Sequence, residues 1–261
     1  MTDLPLALLC AVFGLAIGSF LNVVVWRVPR GESVVRPPSS CPQCGNEIRP
    51  RDNVPVLGWL LLRGKCRDCG LPISARYPVV EALTGALFAV LAWRFGLDAA
   101  LPAYLYFAAV GLALALIDLD VQRLPDALTL PSYPVALVLL GAAAIAEGSA
   151  DDLVRALISG AIAFAFFFTV WFVYPKGMGF GDVKLSGLLG IYLGWISYGA
   201  LAAGLFAGYL LGGVISVGLV LFREAGRKTR IPFGPFLLAG ALVGILAGDQ
   251  LVDGYLALTV G

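Results

Sequence analysis

A chain of 261 residues that is 59% hydrophobic and only 13% charged, with mean hydropathy +0.89, is not an ordinary soluble domain, which carries about a quarter charged residues. Its 18 Lys and Arg nearly cancel 17 Asp and Glu, and it contains no histidine. That closes histidine-ligated metalloprotease sites and Ser-His or Cys-His nucleophilic pairs.

Apolar runs recur along the whole chain and predict eight membrane spans at 4–26, 77–95, 101–118, 127–146, 153–174, 182–196, 198–222 and 233–252. Runs of this length match a hydrocarbon core about 30 Å thick. The expected fold is therefore an all-α polytopic membrane protein of about eight helices. The first run lacks a basic n-region and a small-residue cleavage site, so it reads as a retained helix. Only Trp195-Ile-Ser-Tyr-Gly199 separates the sixth and seventh spans. One helix over that whole stretch would run about 60 Å, twice the core, so two spans are expected.

Charge orients the chain. All Lys and Arg except Arg94 and Arg155 fall in the loops 27–76, 119–126, 175–184 and 223–232, the last holding Arg223, Arg227, Lys228 and Arg230. Eight spans put these loops on one side, cytoplasmic by the positive-inside rule, with both termini on the other.

The loop between the first two spans is too small to bury much core, and pieces of that size need a metal or disulfides. It carries Cys41-Pro-Gln-Cys44 and Cys66-Arg-Asp-Cys69, separated by 21 residues and each followed by Gly. That is the spacing of a zinc-ribbon-like site. Disulfides are disfavoured on the cytoplasmic side, and iron is the chemical rival to zinc. A closed four-thiolate site leaves no open position, so the metal is structural. Cys10, within the first span, reads as a packing residue.

Two aspartate clusters stand at the edges of apolar runs, Ile117-Asp-Leu-Asp-Val-Gln-Arg-Leu-Pro-Asp126 and Lys176-Gly-Met-Gly-Phe-Gly-Asp-Val-Lys184. Carboxylates there are costly unless they face protein or water. Two of them sharing a proton can activate water on a carbonyl. Asp118 and Asp120 lie about 200° apart on a helix, so only one can meet Asp182. Asp118 is the deeper. Asp120 and Asp126 read as supporting, with Asp126 near a helix start. Gly177, Gly179 and Gly181 are expected to allow a tight turn and a close approach.

Taken together, Gly18-Ser-Phe-Leu-Asn-Val-Val-Val-Trp-Arg-Val-Pro29, the paired knuckles, Arg76-Tyr-Pro-Val-Val-Glu81, the two aspartate clusters and Ile231-Pro-Phe-Gly-Pro235 resemble the prepilin peptidases, the type IV leader peptidases of pilus and type II secretion systems. The resemblance covers nearly the whole chain in order. It implies Asp118 and Asp182 as the catalytic pair, the latter in a GxGD motif, with Gly179, Gly181 and Lys184 supporting. It also implies a type IV prepilin or pseudopilin substrate, cut at the cytoplasmic face of the bacterial inner membrane. A loop-bearing member would then N-methylate the new terminus with S-adenosylmethionine. By this reading 1–28 is the first membrane helix, 29–76 the methylation-associated zinc loop, 77–100 the second helix and 101–261 the six-helix peptidase core.

No nucleotide fingerprint marks a cofactor pocket. Asn22, Arg27 and Glu81 are candidates by their position beside the loop, with snorkelling or interhelical hydrogen bonding as the rival reading. Three other functions compete. A proton relay or transporter wants polar groups at mid-bilayer. A GxGD protease of other substrates leaves the knuckles unexplained. A nucleic-acid binder could use Arg49, Arg51, Arg63, Lys65 and Arg67, but topology already accounts for those charges and stacking aromatics are few. No nucleic-acid partner is expected.

Overall fold

Glycine sets how closely the helices of this chain approach one another. The computed structural model describes residues 3–221 and 232–259. The bases expected at Arg223, Arg227, Lys228 and Arg230, and Ile231 of the Ile231–Pro235 stretch, lie outside the described residues. The chain divides after Ala113 into two compact units.

The first unit holds α1 (Asp3–Arg27), the short α2 (Leu57–Leu61), α3 (Arg76–Phe95) and the start of α4 (Leu101–Val121). Pro78 falls in the first turn of α3, where its missing N–H has no helical partner to lose. The α1 and α3 backbones touch at glycine: a Cβ on Gly14 would come within 2.9 Å of Gly85 Cα, and one on Gly18 within 2.7 Å of Glu81 Cα.

The second unit continues with the end of α4, then α5 (Asp126–Glu147), α6 (Ala150–Val173), α7 (Phe180–Ile196), α8 (Tyr198–Leu221) and α9 (Gly234–Thr259). Its centre is α7, which is buried on nearly every side and packs against α5, α6, α8 and α9. A helix apolar all round belongs inside. Gly187, Gly190 and Gly194 admit α6, and the Tyr133 hydroxyl of α5 donates to Lys184 O at 2.5 Å. The α7 C-terminus is held by Arg155 of α6. Its guanidinium donates to the carbonyls of Gly194 at 2.7 Å, Ile196 at 2.9 Å and Trp195, and also pairs with Asp152 at 2.8 Å. Those carbonyls have no partner within the helix, and a cation suits the negative end of its dipole.

Seven helices are long and apolar enough to cross a membrane, namely α1, α3, α4, α5, α6, α8 and α9. The remaining expected span is α7, 17 residues long. The protein is a multi-pass membrane protein. The doubtful boundary falls where Trp195–Gly199 placed it, with Ser197 alone between α7 and α8. Helix α4 runs three residues past the expected 118, so both Asp118 and Asp120 are helical.

The tightest seam joins α8 to α9. A Cβ on Gly240 would meet Gly208 N at 2.2 Å and Gly204 O at 2.5 Å. Backbone atoms cannot swing aside, so the helices would have to separate. Gly240→Ala is expected to cost about 1–3 kcal/mol, as overpacking does. Gly254→Ala on the same helix faces open space and is expected to be neutral or slightly stabilising, by up to about 1 kcal/mol of helix propensity. Thermal unfolding of the two variants in detergent compares them; equal melting points would refute the seam.

Candidate active site

Near the end of α4, Asp118 is buried while Asp120 is exposed, the divergence expected from a helical period. Oδ2 of Asp118 accepts the backbone N–H of Gly234 at 3.1 Å. Gly234 opens α9, with Pro235 following in its first turn. A Cβ at Gly234 would fall 2.9 Å from that oxygen, so only glycine lets the helix start come this close.

Asp182 is also buried and also sits at a helix start, as the third residue of α7. Its carboxylate turns back to accept the N–H of Gly179 at 3.3 Å, while its own N–H donates to Gly179 O at 3.1 Å. This is a capping box in which the glycine answers through its carbonyl, having no side chain to offer. Both aspartates thus lie at the positive end of a helix dipole, worth up to about 2 kcal/mol in partly buried settings. Among the described residues neither has a cationic partner.

Leu124 joins the two positions. Its side chain lies 3.1 Å from where a Cβ on Gly181 would stand, and 3.3 Å from one on Gly234. Asp118 is close enough for its charge to act on Asp182. Two carboxylates whose charges act on one another can divide the roles of acid and base.

The supporting residues divide. Asp126 is the first residue of α5 and pairs with the Lys184 ammonium, which also lies 5.4 Å above the Phe180 ring. Asp120 points away from Asp182's partner face. Gly177, Gly179 and Gly181 do not act through a left-handed turn, because none has positive φ. They supply room, Gly181 for Leu124 and Gly177 for the Tyr174 ring. Two contributors escaped the sequence reading. One is the Gly234 N–H, whose signal was Gly-Pro at an apolar helix start. The other is Tyr209 of α8, near Asp182 and packed on Phe233 at 5.2 Å and Phe167 at 5.5 Å.

The four knuckle cysteines of the first unit come together. The sulfurs of Cys41, Cys44, Cys66 and Cys69 lie within 4.8 Å of one another, and none is in a disulfide. A tetrahedral four-thiolate zinc with bonds of about 2.3 Å needs sulfurs about 3.8 Å apart, and Cys41 and Cys69 stand at 4.0 Å. The halves repeat one design. Gly45 N donates to Cys41 O at 2.8 Å and Gly70 N to Cys66 O at 2.9 Å, with Gly45 and Gly70 at φ 75° and 71°. The glycines thus make tight left-handed turns, a conformation glycine adopts without steric cost. Backbone N–H groups of Cys44 and Gln43 pull the Cys41 thiol down to about 7, toward the thiolate a metal needs. Arg67 grips Asp52 through two bonds of 2.7 and 2.6 Å and holds its carboxyl below the usual range.

Arg27 and Glu81 fasten this loop, while Asn22 ties α1 to the start of α3. Asn22 donates to Tyr77 O at 3.2 Å, and Arg27 to Ser33 O at 2.9 Å and Pro37 O at 2.8 Å. Glu81 accepts the N–H of Val56 at 2.7 Å.

Known proteins resemble this chain along its length. Residues 12–95 match the bacterial peptidase A24 N-terminal domain, and residues 105–221 the type IV leader peptidase family. The chain is 36% identical to a prepilin leader peptidase/N-methyltransferase of Pseudomonas aeruginosa, covering 97% of this chain and 94% of that protein. It is 37% identical to the one from Aeromonas hydrophila, over 94% and 92%, and 31% identical to the one from Bacillus subtilis, over 96% and 98%. No solved structure matches. With both family models matched in order and relatives alike from end to end, the chain belongs to the type IV leader peptidase family.

Proposed function

We propose that the protein is an aspartic endopeptidase of the inner membrane that removes the leader of type IV prepilins or pseudopilins at the cytoplasmic face, then N-methylates the new terminus. The observation that carries the proteolytic half is the pair Asp118 and Asp182, each buried at a helix start with no cationic partner among the described residues. The ionised member takes a proton from water as the oxygen attacks the scissile carbonyl. The protonated member gives its proton to the carbonyl oxygen. Collapse of the tetrahedral intermediate then passes a proton to the leaving amine. Lys184 and Asp126 brace the start of α7 against that of α5.

Cys41, Cys44, Cys66 and Cys69 would hold one zinc as a structural crosslink. S-adenosylmethionine would supply the methyl group to the freed amine. The hydrogen bonds of Arg27 and Glu81 favour a role in seating the loop 29–76, and that of Asn22 in joining the two helices that flank it, through which all three support methylation. The clustering of Lys and Arg supports cytoplasmic placement of that loop and of the aspartate clusters. Residues 101–261 make up the peptidase core in this reading.

Co-expression with a type IV prepilin tests both activities in one measurement. Mass spectrometry should find pilin that has lost its leader and gained one methyl group. Full-length prepilin recovered beside well-inserted enzyme would reject the reading.

A further inference from the structure

The loop carrying the cysteines has an apolar face that its own packing leaves uncovered. Helix α2 exposes Leu57 (57%), Leu60 (55%) and Leu61 (80%), spaced so that all three share one side. Its other side is engaged. Gly58 lies against Asp52 O, and the Trp59 indole N–H donates to Ile73 O at 3.0 Å. A five-residue helix has no propensity reason to exist in water, so what holds it in place matters.

Its start is strained and pinned. Val56, with φ 60° and ψ −51°, is the centre of a tight turn in which Leu57 N donates to Pro55 O at 2.6 Å. Positive φ at a β-branched residue is an outlier that persists only where its surroundings impose it. Here the Val56 N–H is held by Glu81, a buried carboxylate five residues into α3. Five residues is about 7.5 Å along the helix axis. Because α3 is a membrane-spanning helix, that bond places α2 at the depth of the bilayer edge rather than out in solution.

The surrounding charges suit the same depth. Arg63 and Lys65 follow α2 closely, both exposed and without an acidic partner among the described residues. At the end of α1, which Asn22 ties to the α3 start, Trp26 is exposed with the Arg30 guanidinium 3.6 Å over its ring. Interfacial Trp and snorkelling Arg mark the headgroup level.

We propose that α2 is an interfacial anchor. Leu57, Leu60 and Leu61 enter the headgroup–acyl boundary of an anionic leaflet, and Arg63 and Lys65 bind its phosphates. The zinc-bearing loop is then a membrane-seated element rather than a free cytoplasmic module. Apolar burial and basic charge reinforce each other at such a surface.

The test places a diazirine amino acid at position 61 of the full chain in vesicles of phosphatidylethanolamine and phosphatidylglycerol. The carbene inserts into whatever touches it, and mass spectrometry reads the adduct. Phospholipid adducts are expected to dominate. Water adducts would mean a solvated face, and polypeptide adducts a second copy or a peptide partner; either overturns the proposal. With Arg63→Glu and Lys65→Glu together, the phosphatidylglycerol adduct should fall at least about fivefold, the worth of one charge contact at an anionic surface. The total phospholipid adduct should fall by the same factor, without any change to the basic pair, when phosphatidylcholine replaces phosphatidylglycerol. An adduct yield indifferent to that replacement would also overturn it.

Discussion

Asp118→Asn and Asp182→Asn are each expected to remove leader cleavage, a loss on the order of 10²–10⁴-fold for one member of an acid–base pair. Each asparagine keeps a carbonyl oxygen where the carboxylate accepted Gly234 N–H or Gly179 N–H, so the helix starts stay capped. What the variants lack is the proton that the pair passes back and forth. Asp120→Asn, on the exposed face of α4, should keep measurable activity. Cleavage of prepilin by the reconstituted enzyme checks all three. A dead Asp120→Asn beside an active Asp118→Asn would put the wrong face of α4 in the mechanism. The Asp182→Asn enzyme should still methylate a pilin supplied already trimmed. If it does not, the two activities share a site.

Replacing a knuckle cysteine should have an equally large effect of another kind. Structural zinc in peptides contributes about 10–16 kcal/mol of apparent binding, which is also folding free energy. The loop between α1 and α3 has little buried core of its own. Cys41→Ser or Cys69→Ser should therefore release zinc, open residues 29–76 to protease and suppress methylation, while cleavage falls much less. Zinc content per chain, limited proteolysis and pilin mass together read the outcome. Finding Cys41 in a disulfide in native membranes would contradict both the metal and the orientation.

Much of this was legible in the order of residues. Membrane helices announce themselves by length and hydropathy, and two CxxC knuckles by spacing. The separation of Asp118 from Asp120 follows from the helical period. Other features were hidden for physical reasons. The seam of α8 and α9 is written as Gly204 and Gly208 facing Gly240 and Gly244, yet fourfold glycine spacing does not say which helix it meets. Glu81 looked like a cofactor ligand because a buried carboxylate advertises a need without naming its partner, here the Val56 N–H. Arg155 looked like a stray charge away from the basic loops. It is spent on three backbone carbonyls, groups that every residue carries and no sequence pattern marks.

That clamp has a mechanical consequence. Arg155 fixes one end of α7, and Asp182 rides near the other, about 20 Å away at 1.5 Å rise per residue. Were α7 to turn as a rigid rod, the Lys184–Asp126 pair and the Tyr133 bond would resist at the Asp182 end, and the guanidinium would be the fulcrum. A tilt of about 5° there would carry the carboxylate nearly ~2 Å, and a misplacement of about 1 Å can cost 10²-fold in rate. The alignment of the two acids is thus set partly by a residue that touches neither of them, at the far end of the central helix.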